Sequence, residues 1–160
     1  MYRIVYSLLI FILLLEGCSN KPCLNNTITP VFIGFSQADI DTIVLRAFKP
    51  NDNYLHLIDT VVIVNKGASI YTIKNDTTIV FVNSSNPNDW INPDFNWQVY
   101  LPAKNKTTSI SNIRATQTEG SGRSCLNPIN SFEQDGQSIT AFLTQSGYDY
   151  TSGYMAFIHN

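Results

Sequence analysis

The chain has 160 residues, of which 44% are hydrophobic, 12% aromatic and only 14% charged, and its net charge is −2. This length suits one domain, and the apolar fraction is too high for a disordered chain. Because the charges are few and scattered, we expect neither a nucleic-acid-binding surface nor a polybasic membrane patch.

The N-terminal residues predict export. An uncharged apolar run, residues 4–15, follows Arg3. About 12 apolar residues suit the core of a signal peptide and fall short of the roughly 20 that span a bilayer. The alternatives are an ordinary secreted protein that is cut elsewhere and an uncleaved anchor helix, which has less support because Glu16 ends the run early.

The run ends in Leu15-Glu16-Gly17-Cys18, which resembles the lipobox of bacterial lipoproteins: an aliphatic residue, a small residue, Gly or Ala, and Cys. Glu16 departs from that pattern. The resemblance implies that residues 1–17 are a signal peptide and that Cys18 carries the lipid. By the family's sorting rule, Ser19 implies an anchor in the outer membrane, facing the periplasm or the cell surface.

The other two cysteines, Cys23 and Cys125, predict a disulfide, because an envelope compartment is oxidising. The closed loop of about 100 residues would contribute up to about 4.7 kcal/mol in the chain-entropy model.

After a polar, lipidated tether at residues 18–27, we expect a single domain over residues 28–160. Its pattern has a period of two, which is typical of strands, with one helical turn at residues 36–41. We expect eight or nine short strands among residues 30–35, 41–48, 57–65, 69–74, 77–82, 96–101, 107–115, 131–134, 137–142 and 154–160.

The strand spacing predicts an antiparallel β-sandwich, Ig-like or related, with partial closure into a barrel as an alternative. Asp135-Gly136 is a strong signal for a two-residue hairpin turn. Residues 116–124 are polar and contain glycine, so we expect a mobile loop there. The Cys, Trp and Cys spacing of true Ig domains is not matched.

The mature chain also resembles a group of small bacterial lipoproteins of uncharacterised function. The likeness is carried by ITPVFIGFSQADIDTIVLRAF at residues 28–48 and by CLNPINSFEQDG at residues 125–136, after a cysteine that closely follows the lipidated one. It implies a β-sandwich in the periplasm or at the cell surface and assigns no activity.

The loop at residues 83–95 is the best candidate for binding, since loops on a rigid sandwich often carry function. Asp89 and Asp94 are hard oxygen ligands suited to Ca²⁺, but no EF-hand spacing is present, so we predict no metal and no cofactor. Trp90 is either a platform for a sugar ring or, as we favour, an anchor buried over the end of the sandwich. Tyr148 and Tyr150 crowd the last turn, where they either join Trp90 in a binding face or cover the sheet edge.

The two histidines give little support for catalysis. His56 lies near Asp52 and Asp59, yet such a residue is more often a loop histidine making one hydrogen bond. His159 lies one residue from the C-terminus, where we expect fraying.

We therefore predict a non-catalytic envelope protein that presents loops to a protein or glycan partner and binds no nucleic acid. One alternative is a carbohydrate-binding module that uses aromatics near Trp90, and another is a small hydrolase built around His56.

Overall fold

The computed structural model describes residues 21–64, 70–73, 77–80, 91–120, 125–141, 143–145 and 152–160. These residues form strands and two 3-10 turns, Gln37–Ile40 and Pro102–Lys104. The strands are β1 (Lys21–Pro22), β2 (Leu24–Asn25), β3 (Ile28–Ile33), β4 (Thr42–Phe48), β5 (Leu57–Val64), β6 (Ile70–Ile73), β7 (Thr77–Val80), β8 (Asn96–Leu101), β9 (Lys106–Ala115), β10 (Glu119–Gly120), β11 (Leu126–Asn127), β12 (Ile129–Gln134), β13 (Gln137–Thr140), β14 (Leu143–Gln145) and β15 (Ser152–His159).

The longer strands form two sheets, which confirms the predicted all-β sandwich. The first sheet is antiparallel, with the strand order β13-β12-β9-β8-β4-β5. The second has the order β14-β15-β3-β7-β6. In the second sheet, β15 runs parallel to β3, from Tyr154 opposite Ile28 to His159 opposite Ile33. Two short pairs, β1 with β10 and β2 with β11, lie beside the disulfide.

Alternating side chains from both sheets build one core. Along β4, β8 and β15, buried residues alternate with more exposed ones, as the period of two predicts, and Trp97 on β8 is completely buried. The core residues of these three strands are Ile43, Leu45, Ala47, Trp97, Val99, Leu101, Tyr154, Ala156 and Ile158. Phe32 on β3 and Phe132 on β12 complete the contact between the sheets.

The tight connections follow from local sequence. Asp135 and Gly136 have φ values of 49° and 79° and join β12 to β13. A two-residue hairpin turn of type I′ needs positive φ at both positions, so the predicted hairpin is confirmed. The single helical turn is also present: Asp39 N–H donates to Ser36 Oγ, and Ser36 N–H donates back to Asp39 Oδ2, as in a capping box.

The most β-branched segment forms β5, which is the edge strand of the first sheet. Val61 and Ile63 pack against the core, whereas Val62 on the other face is 56% exposed. An exposed apolar edge is uncommon, because unpaired edges promote association.

The structure corrects the prediction of a mobile loop over residues 116–120. Thr116 N–H donates to Pro128 O at 3.0 Å, and Cys23 N–H donates to Thr118 O at 3.1 Å. Gly120 pairs with Lys21. Residues 21–27, which the sequence assigns to the tether, are thus held to the sandwich by β1 and β2, while residues 121–124 lie outside the described residues.

Candidate functional site

A cleft of about 400 Å³ opens between the hairpin β12–β13 of the first sheet and β15 of the second. Its size is in the range of small-molecule sites. It combines apolar and polar side chains, and those that line it are Phe132, Gln134, Asp135, Gln137, Ile139, Met155, Phe157 and His159.

The hairpin turn supplies the acidic group of the cleft. Asp135 Oδ1 accepts hydrogen bonds from Ser109 N–H at 2.7 Å and from Ser109 Oγ at 3.1 Å. These bonds orient the carboxylate against β9. Gln137, the first residue of β13, is exposed at the same turn. The turn therefore presents one carboxylate and one amide beside the apolar lining.

Strand β15 supplies the facing wall. Met155, Phe157 and His159 point away from the core side of that strand, and Phe157 is 44% exposed. Gln134 Nε2 donates to Phe157 O at 2.7 Å, and Lys106 Nζ donates to His159 O at 2.6 Å. These two bonds connect the sheets and set the position of β15 against the hairpin.

The expected fraying at His159 is wrong. His159 pairs with Ile33 in the parallel ladder. The next residue, Asn160, adds two hydrogen bonds to the same segment. Asn160 N–H donates to Ile33 O, and its Nδ2 donates to Gly34 O, both at 3.0 Å. The C-terminal residues are held by β3, so His159 has a defined position in the cleft.

The second candidate, His56, lies in the loop between β4 and β5. Its Nδ1 is 2.8 Å from Asp52 Oδ2, and its backbone N–H donates to the same oxygen at 3.1 Å. The His56 side chain is 72% exposed. Asp59 instead accepts from Thr60 N–H. His56 thus closes a loop by its hydrogen bonds to Asp52. This is the role of a loop histidine, as favoured from the sequence.

Asp52 is the perturbed acid of this loop. Burial raises the pKa of Asp52. Hydrogen bonds from the His56 ring and from the N–H groups of His56 and Leu55 together lower it by more than burial raises it, so the pKa of Asp52 is below its ordinary value. Asp52 Oδ1 and Tyr54 Oη are buried without a hydrogen-bond partner, and Tyr54 has φ 62°. This is unusual for a bulky residue and marks a tightly constrained loop.

Of the predicted binding loop, the structure describes residues 91–95. Asp94 is exposed, and its Oδ1 accepts from Asn25 Nδ2 at 3.1 Å. Asn92 Oδ1 accepts from Asp94 N–H, and Asn92 O accepts from the Trp97 indole, both at 3.0 Å. This part of the loop is a local turn fastened to the core by Trp97. The remaining predicted site residues, Cys18, Asp89, Trp90, Tyr148 and Tyr150, lie outside the described residues.

The predicted disulfide is present. Cys23 and Cys125 are bonded across 102 positions, with Cα atoms 5.0 Å apart.

Beside the disulfide, the side chain of Asn127, which is 1% exposed, connects three segments. Its Oδ1 accepts from Thr118 N–H and Oγ1, and its Nδ2 donates to Cys23 O at 3.0 Å and to Asn25 Oδ1 at 2.9 Å. The sequence did not single out Asn127.

The cleft was also missed by sequence reasoning. Asp135-Gly136 carries a turn signal and residues 154–160 carry a strand pattern, but nothing local indicates that these two segments meet. In the described part of the chain, no three His, Cys, Asp or Glu side chains gather as metal ligands. None of the helices described there is long and apolar enough to cross a membrane.

Comparison of the chain with protein-family models, with curated proteins and with solved structures found no match.

Proposed function

We propose that this chain is a lipid-anchored protein of the bacterial cell envelope and that its sandwich is a non-catalytic binding module for a protein or glycan partner. The observation that carries the proposal is the bond between Cys23 and Cys125. Disulfides persist in oxidising compartments, which fits an exported chain. Since these two cysteines are bonded to each other, Cys18 is the remaining one of three, at the end of the apolar run.

Lipid on Cys18 accounts for attachment in physical terms. A buried methylene contributes about 0.8 kcal/mol, so two or three acyl chains hold a protein stably where one does not. The signal peptide and the anchor are what the resemblance of Leu15-Glu16-Gly17-Cys18 to the lipobox implies.

The replacement Cys18→Ser tests the anchor. We expect it to abolish acyl labelling and to release the domain from the membrane fraction, whereas the neighbouring control Ser19→Ala keeps both properties. Retention of a correctly cut Cys18→Ser protein in the membrane would contradict the proposal.

The cleft supports the binding role. Hydrogen bonds from Gln134 on β12 and from Lys106 on β9 join the first sheet to β15 beside the cleft. Preformed, partly apolar clefts with a few oriented polar groups are the usual form of a ligand site.

A carbohydrate ligand is the second candidate, and the composition of the cleft favours it. The Phe157 ring is 44% exposed, and the amide of Gln137 and the carboxylate of Asp135 line the same cleft. An aromatic face packs against the C–H groups of a sugar ring, while amides and carboxylates pair with its hydroxyl groups. This candidate moves the carbohydrate site from the region of Trp90 to the cleft.

Titration of the protein with a panel of envelope oligosaccharides, followed by NMR, distinguishes the two partners. We expect a binding sugar to shift the signals of the cleft, and we expect Phe157→Ala and Gln137→Ala to weaken it. Val62→Ala removes an apolar side chain on β5 that is 56% exposed, outside the cleft, and serves as the control. The absence of binding across the panel would exclude the carbohydrate candidate and favour a protein partner.

A further inference from the structure

Two exposed leucines lie side by side next to the disulfide. Leu24 on β2 and Leu126 on β11 are register partners in the parallel pair, and they are 68% and 51% exposed. Paired residues on adjacent strands share a face about 4.8 Å apart. The residues that follow them, Asn25 and Asn127, are in contrast turned into the domain and hydrogen-bonded to each other. The two leucines therefore form one apolar patch, which we name the Leu24–Leu126 patch.

The Leu24–Leu126 patch is held rigidly. Cys23 and Cys125, each one residue before a leucine, are joined covalently. Leu24 N–H donates to Cys125 O at 3.3 Å, and Asn127 Nδ2 donates to Cys23 O at 3.0 Å. The exposure of the leucines is thus a fixed feature of the fold and does not result from a loose chain end.

The patch lies close to the predicted lipid anchor. Cys18 precedes Lys21, where the described chain begins, by three residues, and it precedes Leu24 by six. An extended chain spans at most about 3.6 Å per residue, so Leu24 lies within roughly 22 Å of a lipidated Cys18. With the acyl chains of Cys18 in the bilayer, the patch is confined to the immediate neighbourhood of the lipid headgroups.

We propose that the Leu24–Leu126 patch contacts the membrane surface and seats the disulfide end of the sandwich on the bilayer. The inference rests on the proposed function, because the anchor at Cys18 brings the patch to the lipid. The leucines add a second membrane contact, and a second contact fixes orientation where a flexible anchor alone would leave the domain free to tumble.

Seating at this end directs the cleft away from the membrane. Strand β12 starts at Ile129, close to the disulfide end, and finishes at Gln134, next to the hairpin turn of the cleft. Six strand residues span about 20 Å. The turn at Asp135 is therefore presented outward, toward a partner in solution.

Tryptophan replacement at matched exposed positions tests the contact. The full chain, carrying either Leu126→Trp or Val62→Trp, is expressed, purified from membranes and reconstituted in phospholipid vesicles with brominated acyl chains, which quench indole fluorescence. Val62 is 56% exposed and pairs with Val44. Its row in the first sheet continues to Thr107 near the start of β9, which is the end of the sandwich away from the disulfide. Both substitutions are at exposed positions, and thermal unfolding of each variant checks that the fold is retained.

We expect Leu126→Trp to lose fluorescence in brominated vesicles, relative to the native protein, and Val62→Trp to lose none. Leu24→Trp provides a second variant with the same expected loss. An equal loss of fluorescence in all variants, or a loss in Val62→Trp alone, would overturn the membrane contact. Intact-mass analysis of the same samples reads the acyl group on Cys18 separately, so its absence would overturn the proposed anchor, whereas its presence without quenching at Leu126→Trp overturns only the seating of the patch.

Discussion

Gly120 lies directly against Cys125, so closely that a Cβ atom built on Gly120 would be 2.7 Å from the Cys125 sulfur and 3.3 Å from the Cys23 sulfur. Gly120 also pairs with Lys21 across β1 and β10. The backbone of β10 passes beside the disulfide because residue 120 has no side chain. The disulfide and the strand that covers it are thus coupled through this glycine.

We predict that Gly120→Ala destabilises the protein by roughly 1–3 kcal/mol, the usual cost of overpacking. Denaturant unfolding without reductant measures it. The control is the same replacement in a Cys23→Ala/Cys125→Ala background, where the sulfur atoms are gone and the penalty should shrink. An equal penalty in both backgrounds would show that the disulfide is not what Gly120 accommodates.

Asn127 is predicted to be the most sensitive polar residue of the disulfide end. Asn127→Asp replaces the Nδ2 donor by an oxygen, which leaves Cys23 O and Asn25 Oδ1 without their bond and places a charge in a buried position. We expect a loss of about 2–3 kcal/mol in the free energy of unfolding. Asn130→Asp, at an exposed asparagine that donates to Thr116 Oγ1, is the matched control and should cost less than about 1 kcal/mol. Similar losses in the two variants would contradict the central role of Asn127.

The loop at Asp52 is predicted to weaken in acid. The pKa of Asp52 is lower in the folded protein than in the unfolded chain, so its stabilising effect is complete at neutral pH and is lost as the pH falls below the ordinary value of about 3.9 and through the folded pKa. Asp52→Asn should therefore be less stable than the native protein at pH 7, and the gap should close in acid.

Thermal unfolding of the native protein and Asp52→Asn across this pH range measures the effect. The same comparison in a His56→Ala background should show a smaller gap, because the ring that bonds Asp52 Oδ2 is absent. A gap that is constant with pH would rule out the linkage.

Trp90 is predicted to be buried and structural. Trp90→Ala should then cost about 3–5 kcal/mol, as large core aromatics do. Trp97, the other tryptophan, is fully buried with its indole bonded to Asn92 O, so acrylamide quenching of the native protein reports mainly on Trp90. Trp97→Phe leaves Trp90 as the only indole and checks this assignment. Strong quenching together with unchanged unfolding of Trp90→Ala would instead favour a glycan platform at Trp90.

The candidate site was less accessible to sequence reasoning than the fold. Asp135 was correctly placed in a hairpin turn, because the preference for positive φ is local. His159 was set aside as a frayed residue, yet β3 holds it in place through contacts more than 120 positions away in the chain. The cleft between them depends on the bonds from Gln134 and Lys106 to β15, and no pattern within either segment encodes those contacts.

The sequence by itself determined the longer strands, the alternation of their two faces, the turn at Asp135-Gly136 and the pairing of Cys23 with Cys125, but not the short strands β1, β2, β10, β11 and β14. These features depend on local alternation, on backbone preferences, or on Cys23 and Cys125 being the two cysteines left once Cys18 is assigned to the lipid. The tertiary structure alone decided that β15 lies parallel to β3, that β5 occupies an edge, and that Leu24 and Leu126 share one surface. The physical reason is that alternation specifies which side of a strand is buried, whereas the identity of its neighbour follows from packing between segments that are distant in the chain.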